Sequence, residues 1–91
     1  MRLKLNVFYN KNLLKMEINE FIEKVADLFE DTDKSEIQAN TKFKELDEWS
    51  SIMALNVIAM VDDEYDILLR GDDIRTACTI EDLFNIANSK K

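Results

Sequence analysis

The sequence predicts an all-α fold, a small bundle of four helices with a long linker between the first two. Its 91 residues include one glycine and no proline, the residue types on which tight turns most depend. Leu, Ile, Ala, Glu and Lys are abundant, and most of these favour helices. Apolar residues also recur at spacings of three and four along much of the chain, the period of an amphipathic helix. A chain of this length forms one small domain.

The first helix is expected over residues 17 to about 30. Its apolar side chains form one continuous stripe: Ile18, Phe21, Ile22, Val25, Leu28 and Phe29. Residues 31–50 follow as a polar linker that is long for a helix connection. Within it, Ile37, Phe43 and Leu46 are expected to hold the linker against the bundle.

The second helix is expected over residues 51 to about 65, with Ser50 or Ser51 as its N-cap. It is apolar on most sides, through Met53, Leu55, Val57, Ile58, Met60 and Val61. Ile58 and Val61 are predicted to belong to the core. One core-facing stripe needs fewer apolar residues than these six, so some of them should lie at the surface.

Two shorter helices complete the prediction. The third runs over residues 72 to about 77, and the last over residues 80 to about 88. Thr79 is the expected N-cap of the last helix, and the acids Glu81 and Asp82 in its first turn suit the positive end of the helix dipole.

Charge divides the chain into two parts. Residues 1–15 contain Arg2, Lys4, Lys11 and Lys15 and no acid, and we interpret them as a flexible basic extension, plausibly an added leader or an upstream start. Since the whole chain has 12 basic and 19 acidic side chains, residues 16–91 keep 8 basic against 19 acidic ones. That domain is therefore strongly anionic. Nucleic-acid binding is not expected, whereas partners with basic patches and a monomeric state are favoured.

Composition also argues against several kinds of site. The chain has no histidine and one cysteine, Cys78, so the usual metal ligand, the usual general base and an internal disulfide are missing. Cys78 is predicted to be a small buried side chain in a reducing cytoplasm.

Asp62, Glu64 and Asp66 have the spacing of a calcium loop, but its sixth position is Ile67 instead of glycine, so no metal site is expected. A small hydrolase has little support, and no segment is long enough to cross a membrane.

Three spaced motifs carry a family resemblance. Residues 46–52 read Leu-Asp-Glu-Trp-Ser-Ser-Ile, residues 62–65 read Asp-Asp-Glu-Tyr, and residues 79–84 read Thr-Ile-Glu-Asp-Leu-Phe. Together with Phe43 they make residues 16–91 similar to the acyl carrier protein family, whose attachment motif is roughly Leu-x-x-Trp/x-Asp-Ser-Leu. The resemblance implies an acyl-carrier-type bundle with a short third helix.

The resemblance also implies a prosthetic group. Ser51 would carry a covalent 4′-phosphopantetheine arm derived from coenzyme A, placed there by a phosphopantetheinyl transferase. The thiol of the arm would hold acyl or aminoacyl thioesters, and the protein itself would not be an enzyme. A serine at the start of a helix suits this link because backbone N–H groups there favour an attached phosphate.

The partners implied are the transferase and the acyl-transferring or synthase enzymes that exchange the cargo. The expected partner-binding residues run from the linker end along the second helix: Glu48, Ser50, Ile52, Leu55, Ala59, Asp62, Asp63 and Glu64. Trp49 could be a further partner anchor, but packing of the linker onto the second helix is favoured.

The chain departs from the family pattern at several positions. Ser50 replaces the family's aspartate, Ile52 replaces leucine, and Met53 and Asn56 stand where general fatty-acid carriers usually have acids. A specialised carrier is therefore expected. Ser50 leaves three outcomes open, namely slow modification, a dedicated transferase, or loss of modification. In the last case the chain would be an unmodified, carrier-like acidic interaction module.

Overall fold

The computed structural model describes residues 16–91 as an all-α bundle, which confirms the predicted fold class. Within this range there are four α-helices and no strand: α1 Ile18–Leu28, α2 Ser51–Tyr65, α3 Gly71–Thr76 and α4 Ile80–Ser89. Two single 3₁₀ turns, Lys34–Glu36 and Phe43–Glu45, lie in the linker. No helix in the described range is long and apolar enough to span a membrane. The basic extension expected over residues 1–15 lies outside the described residues.

The core lies where α1 contacts α2 and α4, with α3 packed on α4. Its largest fully buried side chains come from α1, the linker, α2, the loop after α2 and α4: Phe21, Val25, Ile37, Phe43, Val57, Val61, Leu69, Ile80 and Leu83. No polar or charged residue of the described range is buried. The excess of acidic side chains therefore lies at or near the surface, where their charges remain hydrated.

The linker is held to the bundle at several points, as its apolar residues predict. Ile37 and Phe43 are buried, and Leu46 packs against the core. The carbonyls of Ala39 and Thr41 accept the first N–H groups of α4, from Glu81 at 2.9 Å and Ile80 at 3.1 Å. Helix-start N–H groups have no intrahelical partner, so the linker satisfies backbone groups of α4.

Lys44 connects the linker to α3. Its Nζ donates to the carbonyls of Ile74, at 3.0 Å, and Arg75, at 2.8 Å. These carbonyls lie in the last turn of the helix, where backbone acceptors lack intrahelical donors and the helix dipole favours a positive charge. A helix of six residues is too short to be stable alone, so α3 depends on such tertiary contacts.

The bounds of three helices differ slightly from the prediction. α1 ends at Leu28, and Phe29 leaves helical geometry with φ −96° and ψ 93°. α3 begins and ends one residue earlier than expected, and α4 extends to Ser89. The early end of α1 has a tertiary cause, because Phe29 stacks on Trp49 and the next two N–H groups donate to a side chain of the linker.

The predicted burial of Cys78 is wrong, since the structure exposes its side chain. Cys78 lies in the short connection before α4, and its backbone N–H donates to the carboxylate of Asp82 at 2.9 Å. The neighbouring positions Ala77 and Ile80 enter the core instead. The side chain of Cys78 thus faces outward between two buried apolar positions.

Asp66 ends α2 in the left-handed conformation, with φ 59° and ψ 34°. It is the one non-glycine residue with positive φ in the described range, and its N–H donates to the carbonyl of Asp62 at 3.0 Å. Aspartate tolerates this region better than most residues, and glycine tolerates it best. The chain therefore turns sharply here without a glycine.

The left-handed turn predicts different effects for two substitutions at this position. Asp66→Gly and Asp66→Ala both remove the carboxylate, but only glycine also removes the Cβ and its steric conflict with the carbonyl. We expect the glycine variant to be more stable than the alanine variant by about 1 kcal/mol, measured by urea unfolding. Equal stability of the two variants would contradict the left-handed conformation.

A capping box starts α4. Thr79 Oγ1 accepts the N–H of Asp82 at 3.1 Å, while Asp82 Oδ2 accepts the N–H groups of Cys78 at 2.9 Å and Thr79 at 3.1 Å. These backbone hydrogen bonds, first that from Cys78 and then that from Thr79, hold the pKa of Asp82 below its ordinary value of 3.8. Thr79 therefore has the N-cap role that the sequence predicts, and Asp82, predicted only as a first-turn acid, also caps the helix.

The lowered pKa of Asp82 predicts a pH-dependent stability difference. A carboxyl whose pKa is depressed by folding stabilises the fold above its unfolded-state pKa, and this contribution disappears as pH falls through the folded-state value. Asp82→Asn should therefore unfold more easily than the wild type at neutral pH, and the difference should shrink below about pH 4. Thermal unfolding followed by circular dichroism from pH 7 to pH 2 measures it. A pH-independent difference would contradict this role of the charge.

Candidate functional site

The two serines at the start of α2 have different environments. Ser50 is the N-cap, with extended backbone at φ −160°, and its hydroxyl accepts the N–H of Met53 at 3.2 Å. Ser51 is the first residue of the helix, and it is exposed. The sequence left the choice of cap open between them, and the structure assigns it to Ser50.

The start of α2 favours an attached anion. The N–H groups of Ser51 and Ile52 have no intrahelical partner because they belong to the first turn, and the helix dipole adds positive potential there. The first turn contains no acidic residue that would oppose this potential. A phosphate linked to the Ser51 hydroxyl would lie beside these donors.

The Ser51 hydroxyl is accessible to an approaching molecule. The serine side chain is exposed, and the chain contains no histidine to remove its proton. The start of α2 therefore presents an exposed hydroxyl beside backbone N–H donors.

Helix α2 divides its apolar residues between the core and the surface, as expected. Met53, Val57 and Val61 are buried, and Ile58 packs at the edge of the core, which confirms the assignment of Ile58 and Val61. The predicted contact residues lie on other faces: Ile52 is 65% exposed, Leu55 is 61% exposed, and Ala59 is exposed.

Leu68 is an exposed apolar residue that the sequence analysis missed. It is 62% exposed, between the buried Ile67 and Leu69. The signal was present in this run of three apolar residues, because successive side chains of an extended segment point in opposite directions. Two of the three could enter the core only by turning the middle one outward.

The predicted acidic residues lie at the other end of α2. Asp62, Asp63 and Glu64 are exposed, and Glu64 pairs with Lys24 of α1 at 3.2 Å. At the rise of an α-helix they are about 16–20 Å from Ser51 along the axis. A partner that reached both ends of α2 would have to cover most of the helix.

Glu48 is placed differently from these acids. It is half-buried, and both of its carboxylate oxygens accept hydrogen bonds from the segment that follows α1. Oε2 accepts from the N–H of Glu30 at 2.8 Å, and Oε1 accepts from the N–H of Asp31 at 3.1 Å and the hydroxyl of Thr32 at 2.8 Å. No sequence pattern indicates these contacts, since the partners are 16 to 18 residues away.

Trp49 packs within the protein, and its ring contacts are with Phe29 at the end of α1 and Phe43 of the linker, whereas the sequence predicts packing onto α2. It stacks on Phe29 with ring centroids 6.3 Å apart, and it meets Phe43 edge-on at 5.0 Å. Such ring pairs stabilise a fold by more than the burial of their apolar area alone. Trp49 therefore holds the residues next to Ser50 against the end of α1.

Tyr65, the last residue of α2, lies far from the serines. Burial raises its pKa to about 12, with further contributions from Glu20 and Glu64. Within the part of the chain that the structure describes, its hydroxyl is buried without a hydrogen-bond partner. A phenol with this pKa keeps its proton at neutral pH, so Tyr65 does not supply a general base.

The different environments of the two serines predict different effects on stability. Ser50→Ala removes the acceptor of the Met53 N–H and should lower the free energy of unfolding by about 1 kcal/mol. Ser51→Ala removes an exposed hydroxyl and should change it by less than about 0.5 kcal/mol. Urea unfolding of both variants measures the difference, and a larger loss for Ser51→Ala would show that the capping roles are reversed.

Comparison of the chain with protein-family models, curated protein sequences and solved structures found no match.

Proposed function

We propose that this protein is an acyl carrier protein, with an acyl-carrier-type arrangement of its four helices. In this proposal Ser51 carries a 4′-phosphopantetheine arm, and the thiol of the arm shuttles acyl or aminoacyl thioesters between biosynthetic enzymes. The observation that carries the proposal is the exposed Ser51 at the start of α2, within a segment that resembles the family's attachment motif. The neighbouring Ser50 hydroxyl is already used as the helix cap.

In the proposed modification, this chain supplies the acceptor oxygen. Ser51 Oγ forms a bond to the phosphorus that carries the pantetheine arm in coenzyme A, the bond from that phosphorus to the nucleotide part breaks, and the serine proton passes to the transferase. The free N–H groups at the start of α2 then lie beside the new phosphodiester. The chain's contribution is to present the hydroxyl and to stabilise the attached anion.

The proposed partner surface combines apolar contact with charge. Ile52 and Leu55 are the most exposed large apolar side chains of α2, and Leu68 lies in the loop that follows it. Exposed apolar side chains of this kind favour protein contact. Asp62 and Asp63 at the far end of α2, together with the acidic excess of residues 16–91, would attract enzymes with basic patches and speed their encounter.

Two features support a specialised carrier over one that serves general fatty-acid synthesis. Ser50 retains the capping hydrogen bond that the family's aspartate also makes, but it removes the negative charge at the helix start. Met53 and Asn56 replace acids in the first half of α2. In this proposal a partner recognises the start of α2 through the apolar residues near Ser51 more than through charged side chains.

The cargo would be sheltered by the apolar residues that α2 has in excess. Met60 is half-buried at the edge of the core, so an acyl chain that folded back from Ser51 could pack against it and be removed from water.

Ser50 also supports a second candidate, an acidic interaction module that is never modified. The loss of the aspartate charge would then reflect loss of recognition by a transferase, while the exposed Ile52, Leu55 and Leu68 would still bind a partner. Binding of such a module to a basic partner would survive Ser51→Ala and weaken with salt.

Incubation with coenzyme A, Mg²⁺ and a broad-specificity phosphopantetheinyl transferase tests the proposal, with intact-mass spectrometry as the readout. We expect the wild type to gain the mass of one arm and Ser51→Ala to gain none, because the acceptor oxygen is removed. Ser50→Ala is the matched control and should still gain one arm. An arm that persists in Ser51→Ala would disprove the assignment of the serine, and an unmodified wild type would favour the interaction module.

A further inference from the structure

Glu48 connects the attachment segment to the end of α1. We propose that it is a positioning residue for the loading of Ser51, and that its carboxylate is not a charge that faces the partner. We refer to its hydrogen bonds with Glu30, Asp31 and Thr32 as the Glu48 clamp. The inference rests on the proposed function, since the reaction that it concerns is the attachment of the arm.

The Glu48 clamp uses both oxygens of the carboxylate. The acceptor–donor distances are 2.8 Å to the N–H of Glu30, 3.1 Å to the N–H of Asp31 and 2.8 Å to the hydroxyl of Thr32. Hydrogen bonds to a charged acceptor are stronger than neutral ones. The clamp therefore ties two points that are 16 to 18 residues apart in sequence.

Only two residues separate Glu48 from Ser51, and both are held. Trp49 packs between the rings of Phe29 and Phe43, and Ser50 caps α2 through the N–H of Met53. The position of the Ser51 backbone relative to α1 is thus determined by the clamp, a ring contact and a cap in succession. Group transfer is sensitive to misplacement of the attacking atom by about 1 Å, so loosening the clamp should slow loading.

The two possible roles of Glu48 differ in their dependence on Thr32. A carboxylate that faced the transferase would act through its charge, and Thr32 would be irrelevant to it. A clamp depends on both of its ends, so Thr32→Val should weaken it while leaving every charge in place. Glu48→Gln removes the charge but keeps one acceptor oxygen, so it should retain part of the clamp.

The experiment measures steady-state loading by the transferase for the wild type, Glu48→Ala, Glu48→Gln, Thr32→Val and the double variant Glu48→Ala/Thr32→Val. We expect kcat to fall about tenfold in Glu48→Ala and about threefold in Thr32→Val, with the KM for this protein unchanged. Glu48→Gln should lie between Glu48→Ala and the wild type. The double variant should resemble Glu48→Ala, because both changes act on one contact.

The control is Asp47→Asn, which removes an exposed charge next to Glu48 and should leave kcat unchanged. Thermal unfolding identifies any variant that is not folded at the assay temperature. If Glu48→Ala fails to fold, the comparison of Glu48→Gln and Thr32→Val with the wild type decides the question. Faster amide hydrogen exchange at Glu30 and Asp31 in the Glu48 variants would report loss of the clamp independently of loading.

Several results would overturn the inference. A rise in KM that disappears at high salt, together with an unaffected Thr32→Val, would show that Glu48 is a charge read by the partner. Unchanged loading or unchanged amide exchange in folded Glu48 variants would show that the clamp does not position Ser51, and the proposed function would stand. A wild type that accepts no arm would overturn both the proposed function and the positioning role.

Discussion

The attachment of the linker between α1 and α2 is the constraint on which the rest of this structure depends. Its buried residues Ile37 and Phe43 complete the core, its carbonyls satisfy the start of α4, and Lys44 satisfies the end of α3. At its own end it supplies Glu48, Trp49 and the cap of α2. The linker has little regular structure, yet it contacts every helix. The orientation of α2 relative to α1 therefore follows from these linker contacts as well as from direct packing of the two helices.

Helix α2 combines a structural and a surface role because apolar residues occur on several of its faces. Val57 and Val61 are fully buried, whereas Ile52 and Leu55 remain largely exposed. The exposed residues lie toward the end that bears Ser51, and the acids Asp62 and Asp63 lie toward the other end. An apolar contact region and a charged region are therefore separated along one helix, which suits a partner that is attracted by charge and held by apolar contact.

The environment of Ser51 combines an accessible hydroxyl with a well-defined backbone. The serine is exposed, its neighbour Ser50 makes the capping hydrogen bond, and no histidine is present to act as a base. Three contacts restrict the backbone near the Ser51 hydroxyl: the Glu48 clamp, the rings around Trp49 and the helix cap. In the carrier role that we propose, the fold would contribute by placing the acceptor atom.

The sequence by itself determined the helical class, the approximate helix boundaries, the N-cap role of Thr79, and the mixed character of α2. These features depend on local periodicity, composition and hydrogen bonds between near neighbours, which a sequence displays directly. Local backbone geometry, which the residue types leave open, decided that Ser50 and not Ser51 caps α2 and that Leu68 and Cys78 face outward. Tertiary structure decided the early end of α1 and the contacts of Glu48. Both depend on which distant segment lies beside the residue, and for Glu48 that segment is 16 to 18 residues away, beyond the range of any helical or extended repeat.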